Sequence, residues 1–391
     1  MRIYVVRFVT WAAWSVFFSF MSLWLLRGQV LTPDEVGWVV GAAALANRAG
    51  ALAFASWIHR VSVRRSVMAS QVGLAGSVLV MHGLAVHGVS DLLSWLGAGV
   101  MAGVSSSVAT LAQITYIARG SKEAEKLTAL SYENVALNLS AGLSPLVSSL
   151  ILTRYPDAYA IAPLVPCALS IAMVAGMPTR DVREPVAVSV DDDDAPASPG
   201  AGRVMFVVLN VLIFFASTQF YNVFPVYAKE AMGVGEVGVM FAVSSVLIVV
   251  LQMPVTRVVT RCRAVTAAML AYACMAAGVV GLYFSPDIAV VAYGTVLLLT
   301  ISEIIFGPLF QSMVIRVFAS RSTFAMGTLM LIWAVSELVA TVIGIKLVSQ
   351  GQAWAAFGVA AAGCVAAMVM LAVQRRRQPR DGLARVMNAV P

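Results

Sequence analysis

Twelve apolar runs, each long enough to cross a bilayer, follow one another along this chain and leave it little choice of fold. They fall at roughly 4–26, 36–58, 66–88, 91–117, 127–152 and 156–177, then at 203–228, 236–257, 264–285, 287–315, 322–348 and 352–374. A helix needs about 20 mostly apolar residues to span the hydrocarbon core. Inside that core every backbone N–H and C=O must find a partner within the protein, which favours helices. Only 12% of residues are charged, against about 25% in an ordinary soluble domain, and mean hydropathy is +0.88. The expected fold class is therefore an all-α membrane protein of about 12 transmembrane helices. The first run, 4–26, has no small-residue cleavage site after it and reads as an anchor rather than a removable leader.

Between the sixth and seventh runs lies a polar stretch holding Asp191 to Asp194 and then Ala-Pro-Ala-Ser-Pro-Gly. That composition cannot bury a core and reads as a linker. The expected division is a six-helix half over 1–178, a cytoplasmic linker over 179–202, a second six-helix half over 203–374 and a basic tail over 375–391. Of the 26 lysines and arginines, Arg27, Arg154, Lys229 and Lys346 fall in segments on one side. Arg48 falls inside a run, and all the rest lie on the other side. The positive-inside rule then puts both termini in the cytoplasm, with a bacterial inner membrane as the expected location. The net charge of +7 is dispersed through these short loops, so no nucleic-acid partner is expected. Cys167, Cys262, Cys274 and Cys364 show no metal-ligand spacing and read as small apolar packing residues.

The two halves repeat one another. Glu35-Val36-Gly37 opens the second run and Glu236-Val237-Gly238 opens the eighth, 201 positions later, and the same offset places Arg60 on Arg261. It also places Arg48 on Val249. An arginine at the centre of a membrane helix costs about 2.5–3.5 kcal/mol on insertion scales. A duplicated architecture with an unduplicated buried charge marks Arg48 as functional, in substrate binding or gating. Paired six-helix halves are a recurrent transporter plan, with the site near the midplane.

Three motifs carry a family likeness. The loop between the second and third runs reads His59-Arg60-Val61-Ser62-Val63-Arg64-Arg65. The fifth run carries Ser140-Ala-Gly142-Leu-Ser144-Pro145-Leu-Val-Ser148-Ser149, and the tenth carries Glu303-Ile-Ile-Phe-Gly307-Pro308-Leu-Phe-Gln311. Over essentially its whole length the chain resembles the major facilitator superfamily, and in type the drug:proton antiporter exporters. The loop is similar to that family's Asp-Arg-x-Gly-Arg-Arg element, with His59, Ser62 and Val63 departing from it. The fifth run is similar to an exporter-associated small-residue pattern. The family's span 4 arginine would fall at Gly99, ahead of Gly103, and is missing, and the first run carries no membrane-embedded acid. The resemblance implies a conformational role for His59, Arg60, Arg64, Arg65, Gly142, Pro145 and Arg261. It also implies that spans 1, 4, 7 and 10 line a central cavity and that spans 2 and 11 face each other, so that Arg48 and Glu337 form an ion pair in one conformation.

Charges inside a membrane mark ion or substrate pathways. Besides Arg48, the runs hold Glu303 and Glu337, with Glu133 near the inner end of span 5. A carboxyl that alternates between environments takes up and releases a proton, so Glu303 or Glu337 is the expected coupling residue, with Glu133 a third candidate. Gln219 and Asn222, three apart on one face of span 7, are candidate substrate contacts. So are Tyr221, Asn47, Gln113, Tyr116, Trp11 and Trp14, the aromatics having lipid-interface positions as their alternative. His82 and His87 read as interfacial.

No Gly-x-x-x-x-Gly-Lys-Ser/Thr phosphate loop is present, which argues against direct ATP drive. No nucleophile, base or metal cluster recurs at one depth, so neither an enzyme nor a cofactor is expected. The function that follows is proton-coupled efflux of a small amphiphilic compound, drug-like or a siderophore or metallophore. The expected partners are that small-molecule substrate, protons and membrane lipid, with a monomer as the working unit. The alternative is uptake of an anionic metabolite held by Arg48.

Overall fold

The computed structural model describes residues 2–54, 61–120, 126–177, 200–259, 261–318 and 322–377. The described residues form helices α1 (Arg2–Phe18), α2 (Met21–Gly28), α3 (Pro33–Phe54), α4 (Val63–Val86), α5 (Leu92–Gly120), α6 (Lys126–Arg154) and α7 (Leu164–Ala175). After the linker come α8 (Gly200–Thr218), a π-helical turn (Gln219–Val223), α9 (Phe224–Ala228), α10 (Val234–Val259), α11 (Ala264–Phe284), α12 (Ala289–Phe318), α13 (Ser322–Ser349) and α14 (Ala353–Arg377). Among the described residues, eleven helical stretches are long and apolar enough to cross a membrane. One runs Ile3–Gly28 through α1 and α2, and another runs Gly202–Ala228 through α8, the π-turn and α9.

The sixth span departs from expectation. In place of one run over 156–177, a 3-10 turn at Pro156–Ala158 precedes α7, which has only 12 residues. Pro156 and Pro163, the latter at the N-cap of α7, lack the N–H that a continuous helix would need. Helix α8 also begins at Gly200, inside the stretch expected as linker, and α14 continues into the basic tail as far as Arg377. The remainder of the linker and tail lies outside the described residues.

Helix boundaries follow local chemistry. Thr32 and Glu35 form a reciprocal capping box ahead of α3, with the Thr32 amide and hydroxyl donating to the Glu35 carboxylate at 2.7 and 2.8 Å. The Ser62 hydroxyl accepts the Arg65 amide to cap α4. Before α5, the Asp91 carboxylate accepts the Ser94 hydroxyl and amide, and these bonds hold its pKa below the ordinary carboxylate value.

The chain divides into two compact units. Unit 1 is Met1–Ala187 with Met232–Ser245, and unit 2 is Val188–Ala231 with Val246–Pro391. In unit 1, α1 packs on α5, α6 and α7, while α4 packs on α5 and α7. In unit 2, α8 packs on α12, α13 and α14, while α11 packs on α12 and α14. The second set of pairings is the first displaced by six spans.

Small residues set the closest approaches in unit 1, as they do generally between membrane helices. A Cβ on Gly99 would lie 3.2 Å from the Val39 carbonyl oxygen, and one on Gly103 would overlap that of Ala43 and lie 2.9 Å from the Asn47 amide nitrogen. One on Gly50 would lie 2.9 Å from Ser107 Cβ. Gly99, Gly103 and Ser107, four residues apart, thus form a seam on α5 into which α3 presses its backbone. The small residues of α6 serve two neighbours. Ser140 and Ser148 donate to the Phe8 and Val16 carbonyls of α1 at 2.9 and 2.7 Å. Gly142 and Ser149 meet Ser245 and Gly238, in the part of α10 that belongs to unit 1.

The first span of each unit is interrupted. Between α1 and α2 the Phe20 N–H leaves the helical ladder and donates to the Tyr159 hydroxyl at 3.1 Å. That hydroxyl in turn donates to the Phe17 carbonyl, and Ser148 serves the neighbouring Val16 carbonyl. In unit 2 the interruption is the π-turn Gln219–Val223. The 201-residue offset carries Ser19 and Phe20 onto Phe220 and Tyr221, so the two interruptions occupy matching positions in the repeat.

The seam generates a test. Gly103→Val should lower stability by about 1–3 kcal/mol through overpacking. Gly76→Val, where an added Cβ meets nothing within 4 Å, should leave it nearly unchanged. Thermal unfolding of both in one detergent is the measurement, and equal Tm values would remove the seam as a structural constraint.

Candidate functional site

In unit 1 the polar residues converge on Arg7, which is 0% exposed. Its Nε donates to Glu133 Oε1 at 2.6 Å, and its Nη1 donates to the Thr110 hydroxyl at 2.9 Å and Gln113 Oε1 at 3.4 Å. Gln113 Nε2 donates to the Thr10 hydroxyl at 2.8 Å, which is hydrogen-bonded to Ser170 at 2.7 Å. The Trp11 ring lies 5.3 Å from the guanidinium carbon, a cation–π distance. One node thus ties together α1, α5, α6 and α7. By sequence Arg7 belongs with the loop cations; in the structure it is buried instead. Three predicted residues, Glu133, Gln113 and Trp11, gather around a fourth that was not singled out. A usable signal existed, because Arg7 lies within the first apolar run, four positions before Trp11.

In unit 2 two carboxyl groups flank the π-turn. Glu303 on α12 is half-buried and accepts the Ser217 and Tyr221 hydroxyls, both at 2.8 Å. Glu337 on α13 is 7% exposed, with Asn222 Nδ2 at 3.5 Å, and the same nitrogen donates to the Thr341 hydroxyl at 2.9 Å. The wide turn lets the adjacent residues Tyr221 and Asn222 address two different helices, and π-bulges recur at functional sites. Gln219 is buried and bonds the Phe215 carbonyl at 3.2 Å. A Cβ on Gly344 would overlap Val223 and lie 3.1 Å from Gln219 Oε1, so α13 closes directly on the π-turn.

Aromatic rings adjoin the carboxyls. Phe214 stacks on Trp333 at 5.1 Å between centroids, and Phe306 meets both edge-on. Trp333 Nε1 donates to Asn210 at 3.1 Å, which fixes the ring. Phe306 is three residues from Glu303 and Trp333 four from Glu337, one helical turn in each case. Ser217, Thr341, Phe214, Phe306 and Trp333 were not singled out from the sequence. Ser217 precedes Tyr221 by four and Thr341 follows Glu337 by four, which was the available signal.

The other predicted residues are placed as follows. Arg48 is half-buried on α3. The neighbouring Asn47 Nδ2 is buried without a hydrogen-bond partner among the described residues. Trp14 is buried and stacks on Phe18 at 4.7 Å, and Tyr116 is half-buried. Gly142 is buried in the contact with Ser245, and Pro145 is buried with its carbonyl 3.1 Å from a Cβ built on Gly238. Arg64 is half-buried, while Arg65 and Arg261 are exposed. His59 and Arg60 lie outside the described residues. His82 is half-buried and His87 is exposed.

The sequence pattern that defines the Major Facilitator Superfamily matches residues 3–340 and again 209–387. The chain belongs to that superfamily. It is a secondary transporter and not an enzyme. No curated protein sequence matches it. Solved structures share the superfamily fold. A Glu-to-Gln mutant of the peptide transporter POT in complex with alafosfalin superposes with a TM-score of 0.78 at 11% identity, covering 99% of this chain and 95% of that one. An Asp-to-Ala mutant of the nucleoside transporter NupG gives 0.77 at 12% identity, covering 95% and 98%. A D-xylose-proton symporter gives 0.71 at 12% identity, covering 94% and 95%.

The Arg7–Glu133 pair yields a prediction about stability. Removing one partner of a buried ion pair leaves an uncompensated charge, at a cost of about 3–5 kcal/mol. Glu133→Gln should therefore lower Tm strongly or abolish monodisperse purification, and the double variant Arg7→Met with Glu133→Gln should recover much of the loss. Size-exclusion profiles and thermal unfolding are the readouts. A single variant as stable as the parent would show that the pair is not structural.

Proposed function

We propose that this transporter moves protons through Glu303 and exports a small amphiphilic compound by alternating access. The observation that carries the reading is the Glu303 carboxyl, half-buried and held by two hydroxyls, one of them on the π-turn. A carboxyl whose donors and water access differ between conformations takes up a proton in one and releases it in the other. A turn already wound off the α-helical register is a natural place for such a change. Glu337, beside Asn222 and Thr341, is the second proton candidate. A proton symporter with this fold supports coupling of this kind.

Carboxyls next to Phe214, Phe306 and Trp333 suit a substrate with an apolar or aromatic body and a positive or hydrogen-bonding head. The efflux direction is supported by the small-residue stretch of α6 and its likeness to exporters. The loop arginines support cytoplasmic termini in an inner membrane. A second reading, uptake of an anion on Arg48, is favoured by the neighbouring Asn47 Nδ2, a donor buried without a hydrogen-bond partner among the described residues. The Arg48–Glu337 pairing belongs to the export reading, with Arg48 acting as a gate.

Inverted vesicles with an imposed pH gradient test both readings, screening amphiphilic cations, siderophore-like acids and simple anions for gradient dissipation. Glu303→Gln should abolish substrate-driven dissipation. Tyr221→Phe and Ser217→Ala, each losing one bond to a charged group worth about 1.5–3 kcal/mol, should slow it about tenfold or more. Full coupled flux in Glu303→Gln would remove that residue from the mechanism. If instead an anion accumulates in right-side-out cells and Arg48→Ala abolishes this, the uptake reading replaces export.

A further inference from the structure

Unit 1 contains a cavity at the end of its helices opposite the Ser62–Arg65 turn. Its volume is about 310 Å³, within the range of small-molecule sites, which run from about 300 to 1,000 Å³. It lies between α2, the end of α4, the start of α5 and the 156–158 turn, and belongs wholly to this unit. Trp24, Trp95 and His82 line it, with Arg27 and Asp157 exposed beside them.

The apolar wall is rigid. Trp95 Nε1 donates to the Val89 carbonyl at 2.8 Å. The Trp24 ring is held 6.1 Å from Trp95, 6.1 Å from Phe17 and 6.2 Å from Tyr159, centroid to centroid. The charged groups are not committed to each other. Arg27 and Asp157 line the same cavity, yet among the described residues they form no ion pair or hydrogen bond with one another. A guanidinium and a carboxylate left open on one cavity, whose lining also includes two indoles, match a ligand that carries both charges and an apolar body.

We infer that this cavity binds a zwitterionic amphipath of the size of an α-amino acid with a large apolar side chain. Arg27 takes the carboxylate through its planar fork. Asp157 takes the ammonium, and the indole of Trp24 takes the apolar group. Arg27 and Trp24 ride on α2, beyond the interruption in span 1, whereas Asp157 sits on the turn two residues before Tyr159. An occupant therefore ties α2 to the segment whose hydroxyl closes that interruption. The site is distinct from the carboxyls of unit 2 and does not depend on the coupling role given to Glu303.

Isothermal titration of the purified full-length protein in detergent tests this. The probes are L-phenylalanine, N-acetyl-L-phenylalanine, which lacks the ammonium, and L-phenylalaninamide, which lacks the carboxylate. The parent protein should bind the zwitterion saturably and each derivative at least about tenfold more weakly, the scale expected for losing one charge-assisted bond. Arg27→Gln should erase the preference over the amide while keeping that over the acetyl derivative. Asp157→Asn should do the reverse, and Glu303→Gln should bind all three as the parent does. No saturable binding, equal affinity for the three probes, unchanged preferences in the two variants, or loss of binding in Glu303→Gln would each overturn the assignment. Because both variants sit at exposed positions and are read by a change of preference, a general loss of fold would not mimic the expected result.

Discussion

The absence of water in the bilayer core governs this structure more than any single contact. A backbone polar group without a partner there costs several kcal/mol, so a span can be interrupted only where side chains take over the ladder. Both first spans are interrupted, and each is repaired differently. In span 1 the Tyr159 hydroxyl accepts from Phe20 and donates to Phe17 while Ser148 serves Val16. In span 7 the chain keeps its hydrogen bonds by widening into a π-turn. Discontinuous helices at corresponding positions of two repeats are the strongest general pointer to a transporter's working region. Here the interruption in unit 2 delivers Tyr221 and Asn222 to the two carboxyls.

The repeat preserves the scaffold and lets the charges diverge. The helix pairings of unit 1 recur in unit 2, but the offset that aligns the two interruptions places Val208 opposite Arg7 and Val249 opposite Arg48. Unit 1 spends its buried acid, Glu133, on a full ion pair reinforced by Thr110, Gln113 and Trp11. The contacts of the unit 2 acids include neutral hydroxyl and amide donors, from Ser217 and Tyr221 to Glu303 and from Asn222 to Glu337.

Much of this was legible in the chain and some was not, for identifiable reasons. Run length and loop arginines define the spans, and Glu303, Glu337, Tyr221 and Asn222 stand out because polar groups in apolar runs are costly. Arg7 escaped notice because a cation near the end of a run looks like a loop residue. Only the fold brings it to Glu133, 126 positions away. The closure of span 1 by Tyr159 is equally non-local, at 139 positions from Phe20. The π-turn was invisible to a reading based on a 3.6-residue period, since one wide turn shifts every later side chain without changing composition. The small residues of α6 looked like one motif. In three dimensions they form two rows, serines against α1 and Gly142 with Ser149 against α10, because alternate positions on a helix face different neighbours. The short sixth span was announced by Pro156 and Pro163, which an apolar count alone passes over.

Energetic scale separates the parts that can move from those that cannot. One elementary charge crossing a potential of 100 mV is worth about 2.3 kcal/mol. A single hydrogen bond from a neutral donor to a charged group contributes about 1.5–3 kcal/mol, comparable with that step, so bonds of this kind can be exchanged one at a time. Stripping one partner from a buried ion pair costs about 3–5 kcal/mol in one step, and Arg7–Glu133 has further bonds behind it. In the proposed cycle the Arg7–Glu133 contact stays closed, while the single hydroxyl bonds to Glu303 are of a strength that can open and reform.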